Sequence, residues 1–229
     1  MSSEIDRILS SDPFSHLDIV SILKNGEGEI LYNGCNGIIV RHFTGTVFAL
    51  PFTEDYEVLI GLFPSDEWLY CIHSVKMARY FAESRKMKFD GVSILYSYHG
   101  GKLDTGPYEY RTLDDSYFGF VKSHYSNFSS DEALQYDIEK GNLFGIFDHG
   151  IIMGFAGFHP EGSMGLLEVL PEFRGKGIGT YLESYVINRA LENGKIPFCN
   201  VYTHNSNSIR LQNRIGMIRG RRNSAWVYI

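Results

Sequence analysis

The run Glu168-Val-Leu-Pro-Glu-Phe-Arg-Gly-Lys-Gly-Ile-Gly-Thr180 is where residue types and spacing most clearly suit chemistry. Three alternating glycines, Gly175, Gly177 and Gly179, follow a strand-like pattern closed by Pro171 and open a helical one. Glycine there lets the backbone bend and removes side chains where a ligand must come close. The amides at a helix start, with the helix dipole behind them, favour an anion, and Arg174 and Lys176 add positive charge at the rim. The chemistry is that of holding a phosphate group. A Walker loop requires Gly-x-x-x-x-Gly-Lys-Ser/Thr, but Lys176 stands between glycines with Gly177 after it. A dinucleotide fingerprint, Gly-x-Gly-x-x-Gly, would place its third glycine at Thr180. The pattern Arg/Gln-x-x-Gly-x-Gly/Ala is matched in full by Arg174, Gly177 and Gly179.

Such a loop needs a strand before it and a helix after it, and the periodicities supply both. Met164 to Leu170 reads as a strand, and Ile178, Tyr181, Leu182, Tyr185, Val186, Ala190 and Leu191 mark an amphipathic helix ended by Asn193-Gly194. Strands at Leu143 to Phe147 and Ile151 to Phe158 flank the turn Asp148-His149-Gly150. Tyr108 to Leu113 is a further strand, Ser116 to Tyr125 and Asp131 to Lys140 are helical, and Ser129-x-x-Glu132 forms a capping box. Phe198 to Tyr202 is a strand, Asn205 to Arg214 a helix, and Trp226 to Ile229 a last strand. This β-α-α-β-β-β-α-β-α-β order fits one hairpin-built sheet with a central crossover helix. Before the turn-rich stretch Gly100 to Pro107, helices at His16 to Lys24 and Ser74 to Lys86 alternate with strands at Glu29 to Tyr32, Ile38 to His42, Thr46 to Leu50 and Val92 to Tyr98.

Downstream of the loop stands a second motif, Asn205-x-x-Ser208-x-x-Leu211-x-x-Arg214-x-Gly216-Met217. With both motifs in this order and spacing, the chain resembles the GNAT superfamily of acyl-CoA-dependent N-acyltransferases over residues 108–229. The resemblance implies an α/β (α+β) fold: a mixed, mostly antiparallel, V-splayed sheet flanked by helices. It implies a catalytic domain at 106–229, and residues 1–105 as an α/β domain like the degenerate half of glycine N-acyltransferase relatives. Acetyl-CoA is the implied acyl donor, and no metal is implied. The backbone at Val169 and Leu170 would bond the pantetheine arm and polarise the thioester carbonyl. Arg174, Gly175, Lys176, Gly177, Ile178, Gly179 and Thr180 would hold the pyrophosphate. Asn205, with Ser208, would reach the pantetheine, or Asn205 would cap the last helix, asparagine being a preferred N-cap. A neutral amine would attack the thioester directly, with a base taking its proton and an acid protonating the departing thiolate.

The chain departs from the family pattern at both proton-transfer positions. The usual acid, a tyrosine in the second motif, is Gln212, and the glutamate often used as base is Ser163. The substitutes in reach are Glu168, a charged residue in an apolar strand, and Tyr202, just before the second motif. Each has a plainer alternative: Glu168 on the polar face of its strand, Tyr202 in packing. Glu161 acting through water and His204 as a proton donor complete the set, and catalysis by positioning alone stays open. Cys199 reads as a core residue.

Composition bounds the rest. A chain of 229 residues, 44% hydrophobic and 21% charged, buries a core without staples and is not disordered. Three separated cysteines without a CxxC, and eight scattered histidines without HxxxH or HExxH, argue against a disulfide framework or a metal site and fit a reducing, cytoplasmic compartment. The longest nearly apolar stretch, Gly150 to Phe158, is too short to span a membrane. Residues 171–229 hold nine Lys and Arg against three Asp and Glu, leaving twelve against twenty-four in residues 1–170. That split suits a polyphosphate at the basic end and a cationic acceptor at the acidic part, and does not suit nucleic acid. The partners read from the sequence are therefore CoA and a small-molecule amine, with no nucleic acid and no membrane. A protein that binds acyl-CoA without catalysis, and a protein acyltransferase recruiting its substrate through the N-terminal half, are the alternatives.

Overall fold

The computed structural model of the chain describes residues 6–8, 12, 14–125 and 131–229. They form two compact units: Met1–Ser97 with Asn200–Arg210 and Ile218–Ile229, and Tyr98–Cys199 with Leu211–Met217. Ser129 of the expected capping box lies outside the described residues. No helix among the described residues is long and apolar enough to cross a membrane.

The first unit runs α1 (Leu17–Asn25), β1 (Gly28–Gly34), β2 (Gly37–His42), β3 (Val47–Pro51), α2 (Tyr56–Gly61), β4 (Leu69–Ile72), α3 (Val75–Arg85) and β5 (Lys88–Ser97). Its seven-stranded sheet has the order β1-β2-β3-β4-β11-β5-β10, where β10 is Phe198–Tyr202 and β11 is Ile218–Tyr228. All the registered pairs are antiparallel except β3 with β4. Strands buried on both faces read as continuous apolar runs, and β3, Val-Phe-Ala-Leu-Pro, is buried throughout. Alternation sends Ile38, Val40, Phe48, Leu50 and Cys71 to the face covered by Ile19, Val20, Ile22 and Leu23 of α1. The opposite face carries Ile39, Val47, Ala49, Tyr70 and Ile72 under Leu59 of α2 and Met77, Ala78 and Phe81 of α3.

The second unit holds β6 (Glu109–Thr112), α4 (Phe118–His124), α5 (Asp131–Glu139), β7 (Leu143–Asp148), β8 (Ile151–Phe158), β9 (Met164–Val169) and α6 (Ile178–Glu192). Strands β6 to β9 pair in sequence order, all antiparallel, with β9 at one edge. One core joins Val121, Leu134 and Ile138 of α4 and α5 to Leu143, Phe147, Phe155 and Leu166 of the strands. Tyr185 of α6 stacks on Tyr110 at 4.1 Å between ring centroids and meets Phe144 edge-on. The helix α7 (Ser206–Ile215) crosses the division between the units, with Ser206–Arg210 in the first and Leu211–Ile215 in the second.

The structure corrects the expectation of one hairpin-built sheet after residue 107. Strands β10 and β11 pair with strands of the N-terminal half. β11 is also far longer than Trp226 to Ile229. Its polar front end, Ile218 to Asn223, hides the strand in the sequence, because the ladder with β5 slips between Arg219 and Asn223. The amides of Arg221 and Arg222, displaced from that ladder, donate to Ser15 Oγ at 2.9 and 3.2 Å. The short elements α2 and β4 carry no period long enough to read.

Candidate functional site

The site begins at β9. Leu166 sits at φ +55°, unusual for a branched side chain, where the ladder to β8 slips between Phe155 and Gly157. This bulge re-aims the strand just before Glu168, Val169 and Leu170. The Leu170 amide donates to Met153 O at 3.0 Å, so its proton is engaged with β8. Because β9 is an edge strand of its sheet, its outer backbone row can bond an extended ligand.

Pro171 then starts a single 3₁₀ turn, Pro171–Phe173, and Arg174 is extended. Gly175 and Gly177 adopt φ +77° and +82°, which glycine reaches without the clash other residues suffer. A Cβ at Gly175 would meet open space, so the loop leaves room beside it. At Gly179 a Cβ would sit 3.5 Å from Val169 Cγ2, so that glycine packs α6 against β9. The Thr180 and Tyr181 amides already donate to Gly177 O. Ile178 and Gly179, the first two residues of α6, have no carbonyl a turn earlier within the helix to receive their amides.

Arg174 ties strand to loop. Its Nε donates to Val169 O at 2.8 Å and its Nη2 to Glu168 Oε1 at 2.7 Å. The Glu168 carboxylate is thus ion-paired, and 24% of its side chain stays exposed. Lys176 Nζ lies 5.4 Å from the centroid of the Phe173 ring. An edge strand, two left-handed glycines and a cationic rim at the mouth of a long helix are together a cradle for an anionic group on an extended arm.

Residues 108–217 match the sequence model of the acetyltransferase (GNAT) family. The chain carries a GNAT domain. Its fold agrees with solved structures at low identity. A Drosophila protein shares 17% identity with a TM-score of 0.68, covering 99% of this chain and 86% of that one. A GCN5-related N-acetyltransferase-like protein from Streptococcus suis shares 14%, with a TM-score of 0.59 and full coverage of both chains. A tandem GNAT protein from the clavulanic acid biosynthesis pathway shares 12%, with a TM-score of 0.50, covering 93% of this chain and 87% of that one. No curated protein sequence matches this chain. GNAT proteins move acyl groups from acyl-CoA.

The GNAT motifs fall in both units: Glu168 through Thr180 in the second, and Tyr202, Asn205 and Ser208 in the first. Asn205 Oδ1 accepts the Ser208 amide at 3.1 Å, so this side chain caps α7. The Tyr202 hydroxyl donates to the Asp90 carboxylate, its ring stacks on His204, and it lies over Gly91, where a Cβ would meet it at 2.9 Å.

Both departures from the GNAT pattern have partners. Gln212, 2% exposed, hydrogen-bonds the buried Glu183 carboxyl of α6. Burial pushes that carboxyl up to about 7. Cys199 is buried, and burial together with the Glu183 charge raises its thiol well above the ordinary value. Ser163 Oγ donates to Glu161 Oε1 at 2.6 Å. Near them, burial pushes Asp137 up to about 7, opposed by a hydrogen bond from Asn142 and helped by the Glu161 charge. Sequence reasoning missed Leu166, Glu183 and Asp137. Leucine gives no sign of a left-handed backbone, and a carboxylate's burial depends on what folds over it.

Proposed function

We propose that the protein is an N-acetyltransferase moving an acetyl group from acetyl-CoA to a primary amine of a small molecule by direct attack. The observation carrying this reading is the loop between β9 and α6, with its two left-handed glycines, open space and cationic rim. In the proposal Val169 and Leu170 line the pantetheine, the outer amides of β9 facing the thioester carbonyl. Arg174, Gly175, Lys176, Gly177, Ile178, Gly179 and Thr180 surround the pyrophosphate, and Asn205 and Ser208, at the start of α7, complete the donor site. The amine lone pair forms the new C–N bond, the C–S bond breaks with its electron pair leaving on sulfur, and the ammonium proton departs to a base. Glu168 is the proposed base and Tyr202 the proposed acid. Asp90 and Arg174, the hydrogen-bond partners of these groups, orient them.

The N-terminal half is proposed to be a degenerate copy of the same plan. Its elements run β1-β2-β3-α2-β4-α3-β5, and those of the C-terminal half run β7-β8-β9-α6-β10-α7-β11. The third strand of each series leads into Leu-Pro, at Leu50-Pro51 and Leu170-Pro171. The first copy continues Phe-Thr-Glu-Asp, acidic and without glycine, where the second continues into the loop. That composition favours no phosphate. The proposed catalytic domain is 106–229.

Thermal stability with and without acetyl-CoA tests the donor site. A ligand at about 100-fold excess over Kd stabilises the native state by about 2.7 kcal/mol. A clear upward shift in wild type, lost in Arg174→Glu/Gly177→Glu, is the expected result, and no shift in folded wild type sinks the reading. The commitment of Gln212 and Ser163 to other carboxylates favours one second reading, an acyl-CoA-binding protein without catalysis. CoA release with a panel of small amines separates the two.

A further inference from the structure

Donor atoms of three different kinds converge inside the first unit. Cys71 on β4 and His73 just past its end are two residues apart, so alternation aims both at the face that α1 covers. Asp18 stands in the first turn of α1. Ligand atoms of Asp18, Cys71 and His73 all lie within 4.8 Å of one another, and the three side chains are buried. Cys71 forms no disulfide. The surrounding core is apolar, with Ile19, Ile22, Phe48 and Leu50 around Cys71. Burying a carboxylate beside imidazoles in such a place is costly, and hydrocarbon of the same volume would pack there more cheaply.

A second layer stands behind the first. His73 Nδ1 lies 2.7 Å from His16 Nδ1, and His73 Nε2 lies 3.1 Å from Asp18 Oδ2. A single proton occupies the gap between the two Nδ1 atoms. If it belongs to His16, then His73 carries its own proton on Nε2 and donates to Asp18. If it belongs to His73, then either His73 is an imidazolium that also donates from Nε2 to Asp18, or a bare Nε2 lone pair faces the anionic oxygen and a metal cation stands between them. A metal-ligating histidine ordinarily donates its other ring N–H to a fixed acceptor, and His16 Nδ1 is placed to be that acceptor.

We propose that Asp18, Cys71 and His73 bind one zinc-class divalent ion, with His16 orienting the His73 ring. Thiolate and imidazole exclude the hard ions calcium and magnesium and suit zinc or cobalt. Carboxylate plus thiolate balance the two positive charges, so the loaded core is neutral. On loading, the Cys71 thiol proton leaves to solvent and the His73 proton moves from Nε2 to Nδ1. The His16 proton moves to its own Nε2, which is buried and has no hydrogen-bond partner among the described residues. Three protein ligands leave a fourth position. His73 also lines a cavity of about 680 Å³ with Phe52, Ser74, Arg221 and Arg222.

The test uses tag-free full-length protein, stripped with chelator and titrated with Co²⁺, in a Cys35→Ala background that removes the exposed thiol. The expected result is one Co²⁺ per chain, with tetrahedral visible bands and a near-ultraviolet thiolate-to-cobalt band. That band disappears in Cys71→Ser and persists in Cys199→Ser. His16→Ala, which removes no ligand, keeps the band and weakens Co²⁺ binding by about 10- to 100-fold. Folded wild type that takes up no Co²⁺, or a thiolate band that survives Cys71→Ser, overturns the proposal. Circular dichroism confirms the fold of each variant. If Cys71→Ser does not fold, His16→Ala decides, and unchanged affinity there overturns it.

Discussion

Glu183 shows how one buried residue sets a pH response. Its carboxyl stands at about 7 in the folded protein against 4.5 for an unperturbed group, because burial disfavours the charged form. The native state therefore holds this proton more tightly than the unfolded chain, and stability falls as pH climbs between those two values, levelling off above. Glu183→Gln removes that dependence and keeps an acceptor for Gln212. Urea unfolding at pH 5 and pH 8 should show wild type losing about 3 kcal/mol more than the variant across the interval. Parallel losses in the two proteins would mean that Glu183 ionises without penalty. Cysteine chemistry follows burial in the same way. Of three thiols only Cys35 is exposed, so a thiol reagent should modify one per native chain and three after unfolding. Rapid modification of a second thiol in the native protein would show that Cys71 or Cys199 is accessible.

At the scale of elements, the helix starts are where stability and binding separate. Asn205 supplies the cap of α7, so Asn205→Ala should cost about 1 kcal/mol in chemical unfolding. A larger loss of acetyl-CoA affinity than of stability would mean that its amide also touches the donor. Gly177 belongs to α6 in another sense: at φ +82° an alanine would be strained by about 1–2 kcal/mol with no neighbour closer than 3.8 Å to clash. The Gly177→Ala loss should therefore come from backbone strain, and it should appear in unfolding free energy even without ligand. β9 shows the same device in reverse, since Leu166 holds a left-handed backbone although it is a buried leucine. The bulge persists because Leu166 packs with Phe155 and Leu143 in the core.

The whole molecule depends on its last strand. β11 lies between β4 and β5 in the seven-stranded sheet, pairs antiparallel with both, and buries Ala225 and Val227 among residues of the first unit. Ser224 and Ser93, cross-strand partners, share a buried hydrogen bond of 2.9 Å. Residues 1–105, without β10 and β11, would leave one edge of β4 and both edges of β5 bare, and bare edges pair with other chains. A fragment of residues 1–105 should thus be unfolded or aggregated by circular dichroism and size exclusion, and adding a peptide of residues 218–229 should recover order. A cooperatively folded fragment would show that the seven-stranded order is not needed for stability.

The sequence alone determined the features that are written locally. The glycine loop between a strand and a helix, the hairpins at Asn33 to Gly37 and Asp148 to Gly150, and helices α1, α3 and α6 depend on turn chemistry and periodicity within a few residues. They stand where the reading put them. The tertiary structure decided what depends on partners distant in the chain. The place of β11, the pairing of Gln212 with Glu183 and the meeting of Asp18 with Cys71 and His73 could not be read from spacing. Strand partnership is chosen by which buried faces fit, and a side chain's charge state by what covers it. Both are properties of the folded surface, and no local pattern encodes them.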